Sequence, residues 1–242
     1  AIESLRIDGD LFVPTNYQQA GLTGHFHRLY LQEIKGAENA TINPGSIPPL
    51  QLSMGDFQYG VKYFGAIDMN TYPEGDALII RSLKANSSLL TADLSGYWKQ
   101  LDDKTYQSHL TGKVTSDNIN DLLQTFDFST SIIAGKGSAN FDFTWPNAIY
   151  QWQIKAFNGT LNLNLGAGRV IDLGEAATKQ LSMGRLLTLL SIHRLMHMDY
   201  SDFSEQGYHF ETLTGDFILN NGSVTTKNLL LIGAVADIAI KG

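Results

Sequence analysis

Apolar and polar residues alternate along most of the chain, with runs of period two separated by Gly, Pro, Asn and Asp. That period predicts half-buried β-strands. It is read in "SLRIDGDLFV", "HFHRLYLQEI", "LQLSMGDFQYGVKYFGAIDMN", "DALIIRSLKANSSLLTADLSGYW" and "TYQSHLTGKVT". In "NFDFTWPNAIYQWQI", Phe141, Phe143 and Trp145 alternate with polar neighbours. After a Pro-Asn turn, Tyr150, Trp152 and Ile154 do the same, which predicts two neighbouring strands with six large apolar side chains on one side. Leu161, Leu163 and Leu165 continue the pattern in "TLNLNLGAGRVIDL".

In the hairpin "TLTGDFILNNGSVTTKNLLL", Asn221-Gly222 suits a type I′ turn. The register then sets Leu219 against Val224, Phe217 against Thr226 and Asp216 against Lys227, apolar residues in and the charged pair out. Strand starts of the form Gly-x-apolar recur at Gly55, Gly112, Gly159 and Gly215, a rhythm of stacked β units in an extended sheet.

Helical spacing is confined to two places. "SDNINDLLQTF" (116–126) predicts a short helix, capped by Ser116 or Asp117, with Ile119, Leu122, Leu123 and Phe126 on one face. Residues 175–195 predict a long helix, apolar over most of its circumference at Leu186, Leu187, Leu189, Leu190 and Ile192. Such a helix needs cover on several sides. It packs on a sheet, plugs a cavity or touches a membrane. "NPGSIPPL" (43–50) is the best linker and the candidate sub-boundary.

The 242 residues suffice for one large β domain or two ordinary ones. The formal net charge of −7 argues against a nucleic-acid surface. Cysteine is absent, which excludes disulfides, thiolate metal sites and cysteine nucleophiles. No run of about 18 apolar residues is present, so any membrane anchor is expected outside this sequence.

Motifs for chemistry fail one by one. "GKGS" (135–138) lacks the P-loop spacing, "GAGR" (166–169) lies between strands, and no G-x-S-x-G elbow exists. His25/His27 and His193/His197 have metal-compatible spacing, yet "HRLMH" lacks the glutamate of a zinc protease, and solvated or hydrogen-bonded pairs are the plainer reading. The carboxylates Asp102, Asp103, Asp199 and Asp202 read as loop residues, and four N-x-S/T sequons as outward polar faces and turns. Neither catalysis nor a cofactor or metal is expected.

The ordered strings "NSSLLTADLSGYW", "TYQSHLTGKVTSDNINDLLQTFDF", "GKGSANFDFTWPNAIYQWQIKAFNGTLNLNLGAGRVIDLG", "LSMGRLLTLLSIHRL" and "DYSDFSEQGYHFETLTGDFILNNGSVTTKNLLLIGAVADIAIKG" resemble the YhdP branch of the AsmA-like proteins. The likeness is strongest over 85–242, looser over 1–84, and departs where a common Arg pair is replaced by His193-Arg194. It implies the C-terminal fragment of a longer β array: an extended, curved antiparallel sheet forming an open apolar groove. It also implies a non-enzymatic phospholipid conduit in the Gram-negative periplasm. The inner membrane would be reached through an N-terminal anchor and the outer membrane through the C-terminal end.

Alternation alone favours a closed core; the resemblance favours a groove holding lipid. The candidate lining residues are Phe141, Phe143, Trp145, Tyr150, Trp152, Ile154, Leu161, Leu163, Leu165, Phe217 and Leu219. The rival reading is a structural or assembly module binding other envelope proteins through sheet edges or the long helix.

Overall fold

A computed structural model describes residues 2–3, 6–32, 42–102, 105–125, 132–170, 208–233 and 237–240. The expected long helix at 175–195, with His193 and His197, lies outside the described residues, as do Phe126, Asp103, Asp199 and Asp202. The described chain is mostly β-strand. It divides into two compact units: residues 1–113 with 144–152, and residues 114–143 with 153–242. The candidate boundary at 43–50 falls inside the first unit.

The first unit holds β1 (Ile2–Glu3), β2 (Ile7–Phe12), a one-turn helix α1 (Tyr17–Ala20) and β3 (Leu22–Leu31). Then come β4 (Leu50–Tyr59), β5 (Lys62–Glu74), β6 (Ala77–Asn86), β7 (Thr91–Gln100) and most of β8 (Tyr106–Ser116). Strands that follow one another in sequence are neighbours in the sheet. The sheet is mixed rather than wholly antiparallel, because β3 pairs parallel with β4, Leu22 beside Leu50 and Leu31 beside Tyr59. Parallel neighbours need a long crossover rather than a tight turn, and β3 ends at Leu31 while β4 begins at Leu50. The crossover includes a 3₁₀ turn, Pro44–Ser46, in which Asn43 Oδ1 accepts from the Gly45 amide at 2.8 Å. Pro44 is buried, and a Cβ at Gly45 would lie 1.9 Å from the Gly75 carbonyl oxygen. The supposed linker is thus packed on the β5–β6 turn.

The second unit contains α2 (Ile119–Thr125), β9 (Ile132–Ala134), most of β10 (Gly137–Pro146) and β11 (Asn158–Leu165). It continues with β12 (Gly168–Val170), β13 (Tyr208–Asn220), β14 (Ser223–Thr226), β15 (Leu229–Gly233) and β16 (Asp237–Ile240). β13 is its spine, with β11 and β12 along one edge and β14 and β15 along the other. Phe217 faces Thr226 and Leu219 faces Val224, as the Asn-Gly turn predicts, and Asn221 and Gly222 take φ of 45° and 79°. The ladder ends at Thr226, so Lys227 is not registered with Asp216. The Asp216 carboxylate instead accepts from Asn162 Nδ2 at 2.7 Å and Asn228 Nδ2 at 2.6 Å.

The short helix forms where its spacing places it, but the cap is Asn118, whose Oδ1 accepts from the Asp121 amide at 3.1 Å. Ser116 Oγ accepts from the Asn118 amide two residues on, just before the helix. Ile119 enters a core with Leu165, Phe210, Leu213, Phe217, Leu219, Leu229 and Leu231, and Leu122 and Leu123 pack against it. Glycines permit the closest strand approach here: Gly159, at φ 143°, would set a Cβ 1.8 Å from the Asp142 carbonyl oxygen.

Candidate functional site

The first unit has two chemically opposite faces. Following partners from β2 to β7, one row reads Leu11, Gly24, Leu52, Met69, Leu83 and Leu94. The row one residue away reads Asp10, His25, Ser53, Asp68, Lys84 and Asp93. Successive residues of a strand point to opposite faces, so these rows lie on opposite sides. The polar side is solvated: Lys84 Nζ and Asp93 Oδ2 are 3.9 Å apart with both side chains more than half exposed.

A second row, Gly9, Phe26, Met54, Ile67, Ala85 and Ala92, extends the apolar side. A third runs from Leu22 through Leu50, Thr71 and Ile80 to Gly96. A Cβ on Gly24 would meet the Phe26 ring at 2.7 Å and the Leu52 side chain at 2.8 Å, so these groups lie over the glycine on one face. Met54 and Ile67 are buried, but Leu52, Met69, Leu83 and Leu94 are only half-buried. Across six strands at about 4.8 Å each, the row spans about 24 Å.

β10 does not lead into a second strand at 150–154. Asn147 turns the chain at φ 80°, its amide donating to the Tyr106 carbonyl at 3.2 Å and its carbonyl accepting from Ser108 Oγ at 3.0 Å. Residues 147–153 are loop, followed by a 3₁₀ turn at Ile154–Ala156, and β10 pairs with β11 instead. Pro146 has no amide proton to continue a ladder. The loop sets the Tyr150 ring edge-on to Trp98, centroids 5.7 Å apart, and Trp98 also meets Tyr106 at 5.8 Å. Lys62 Nζ lies 5.6 Å from the centre of the Trp152 ring. One loop therefore touches β7 and the start of β5. Burial, with the neighbouring Tyr106 and Tyr59 hydroxyls, raises the Tyr150 pKa above the ordinary tyrosine value.

The expected lining residues thus separate. Trp145, buried, and Tyr150 and Trp152, about two-fifths exposed, belong to the first unit. Phe141, Phe143, Ile154, Leu161, Leu163, Leu165, Phe217 and Leu219 belong to the second. There Phe141 stacks on Phe143 and Phe143 on Phe157, each pair at 5.0 Å. Phe141, Phe143, Leu161 and Leu163 are half-buried. Leu165, Phe217 and Leu219 are enclosed by protein in the core under α2, at 4% exposure or less. Leu52, Met69, Leu83 and Leu94 were not singled out by sequence, although each lies in an alternating run.

Among the described residues, no group of three or more His, Asp or Glu side chains could hold a metal ion. His25 faces Asp10 and Ser53 on the polar side. No described helix is long and apolar enough to cross a membrane.

The family model described as "YhdP protein" matches residues 1–242, the whole sequence. The chain belongs to the YhdP family. Among curated proteins, it is similar to the "Intermembrane phospholipid transporter YhdP" of Escherichia coli (strain K12), at 27% identity over 203 residues. That match covers 83% of this YhdP-family chain and 16% of the relative, so the chain spans about one sixth of it. No solved structure matches.

Proposed function

We propose that this YhdP-family chain is a segment of a non-enzymatic phospholipid carrier in the Gram-negative periplasm, moving lipid between the inner and outer membranes. Acyl chains lie against the apolar face of the first unit, with headgroups toward its rim. The observation that carries the reading is the half-exposed row Leu52–Met69–Leu83–Leu94, backed on the other side by an unbroken polar row. The printed name of the E. coli relative supports lipid as the occupant.

The energetics fit. Each buried methylene is worth about 0.8 kcal/mol, so a chain of about 16 carbons resists water by on the order of 10 kcal/mol. A carrier must offset that cost along the whole path, which needs continuous apolar surface and no reactive group. Tyr150, Trp152, Phe141, Phe143, Leu161 and Leu163 are proposed as further acyl contacts, since each keeps some exposure. Leu165, Phe217 and Leu219 share the face of Leu161 and Leu163 but are covered in the core under α2, and Trp145 is buried, so these four are left out of the proposed acyl contacts. Native mass spectrometry of the purified chain tests the reading: co-purifying phospholipid is expected, and repeated recovery free of lipid would contradict it.

A second reading, docking of an envelope protein, is favoured by Ile218, Leu230 and Ile232, apolar and exposed on β13 and β15. It predicts protein crosslinks at these positions and no lipid at Met69.

A further inference from the structure

The loop after β10 covers part of the apolar face without joining the sheet, all within the first unit. Ala92, Leu94, Gly96 and Trp98 alternate along β7, so Trp98 stands on the same side as Leu94. The Tyr150 ring lies edge-on to Trp98, which is 4% exposed, while Tyr150 is 39% exposed. The covering ring is thus itself open to solvent. Trp152, equally exposed, lies against the Lys62 ammonium at the start of β5. The loop is compact, since the Gln151 amide donates to the Ala148 carbonyl at 2.9 Å. One end is tied to β8 through the Asn147 amide and carbonyl. Beyond that anchor, the Tyr150–Trp98 and Trp152–Lys62 contacts fasten it to the strands.

Two donors on the covered residues are unpaired. Trp98 Nε1 and Tyr106 Oη are sealed from solvent and have no hydrogen-bond partner among the described residues. Their rings meet at 5.8 Å, and the loop is joined to both residues, to Trp98 through Tyr150 and to the Tyr106 carbonyl through the Asn147 amide. A donor shut away from water and from protein acceptors is costly. The closed loop therefore gains two modest aromatic contacts and carries two unpaired donors. Gain and cost oppose each other, which is the condition for a segment that opens at low free energy.

We propose that residues 147–152 are a displaceable strap on the acyl-binding face, closed over Trp98 and Tyr106 when the chain is empty and lifted when phospholipid enters. Asn147, at φ 80°, is the fixed end about which the strap turns. Lifting frees the two donors for water or for a lipid ester oxygen, and leaves the Tyr150 and Trp152 rings beside the entering acyl chain. The strap rests on the proposal that this face holds acyl chains, and makes lipid entry a gated step.

The chain has no cysteine, so a single pair can be introduced cleanly. Lys62→Cys and Trp152→Cys, in one full chain, are bridged by a bis-maleimide whose spacer contains a disulfide. Loading is followed from vesicles of equal parts phosphatidylethanolamine and phosphatidylglycerol with a trace of fluorescent phosphatidylethanolamine. The bridged chain should load at least about tenfold more slowly than the unbridged one, and reduction of the spacer should restore the rate. The same folded protein supplies both states, so misfolding of a variant cannot mimic the result. Tyr150→Ala should load about tenfold faster than wild type, the scale of one aromatic contact. Tyr106→Phe keeps the ring and deletes one unpaired donor. It should load about fivefold more slowly and melt at a higher temperature, a combination that damage to the fold would not give. One loading rate in the bridged and unbridged chains would overturn the strap and leave the carrier standing. No loading of any form, wild type included, would overturn both.

Discussion

Met69 on β5 lies directly across from Leu83 on β6, and their immediate neighbours Asp68 and Lys84 face each other in the next position of the same ladder. One residue of register separates an apolar contact from a charged one. The same change of character holds across the ladders from β2 to β7. A sheet built this way keeps one side greasy without losing solubility on the other.

A charge set into that row should abolish lipid holding while sparing the fold. Leu83→Asp places a carboxylate on a half-buried position, and bound phospholipid should fall at least about tenfold, since an ionised group beside an acyl chain is strongly disfavoured. Lys84→Gln, one residue away on the polar face, should leave lipid content unchanged. Native mass spectrometry reads both, with circular dichroism confirming the strand content.

The core of the second unit should behave as an ordinary protein interior. Phe217 is 1% exposed between β11 and β14 and contributes to the core under α2. Phe217→Ala should destabilise by about 3–5 kcal/mol through lost burial and a residual cavity. Because Trp98, Trp145 and Trp152 all lie in the first unit, hydrogen exchange of the β13 amides across a urea series measures it, and Ile218→Ala, on the exposed side of the same strand, should cost far less.

Much of this was legible from alternation. The Phe217–Thr226 and Leu219–Val224 pairs follow from the Asn221-Gly222 turn, and α2 follows from Ile119, Leu122 and Leu123. The cap went to Asn118 rather than Ser116 or Asp117 because three oxygen-bearing side chains stand in a row, and spacing cannot choose among them. Tyr150, Trp152 and Ile154 alternate without forming a strand, because Asn147 turns the backbone and its amide and carbonyl are taken up by Tyr106 and Ser108. The lining row was hidden by bulges. The register shifts between Asn70 and Thr71 and between Ile80 and Leu83, so simple alternation loses the inward side in the middle of β5 and β6. The parallel pairing of β3 with β4 was invisible because the relative direction of two strands is not written in local alternation.

The N-cap of α2 gives a smaller, separable effect. Asn118→Ala removes the acceptor for the Asp121 amide and should cost about 1 kcal/mol. Asn118→Asp should retain most of the stability, as carboxylates cap well and favour the helix N-terminus. Thermal melts of the two variants beside wild type decide it.

Asp216 titrates below the ordinary aspartate range because Asn162 and Asn228 donate to its ionised form, outweighing the opposing effect of burial. The sign follows from linkage. A depressed folded-state pKa adds stability above the unfolded value, and this is lost as pH falls through the folded value. The group is exposed, so the contribution is small. Carbon-detected NMR should find its midpoint below that of the other surface aspartates, and Asn228→Ala should raise it.

Lipid on the Met69–Leu83 side of the first unit, and not on the other, is tested most directly by a photo-crosslinking amino acid placed in turn at positions 68, 69, 83 and 84 of the chain exposed to phospholipid vesicles. Phospholipid adducts are predicted at 69 and 83, with little at 68 and 84. Equal labelling of all four positions, or none at 69 and 83 in a folded chain, would contradict an acyl-chain surface there.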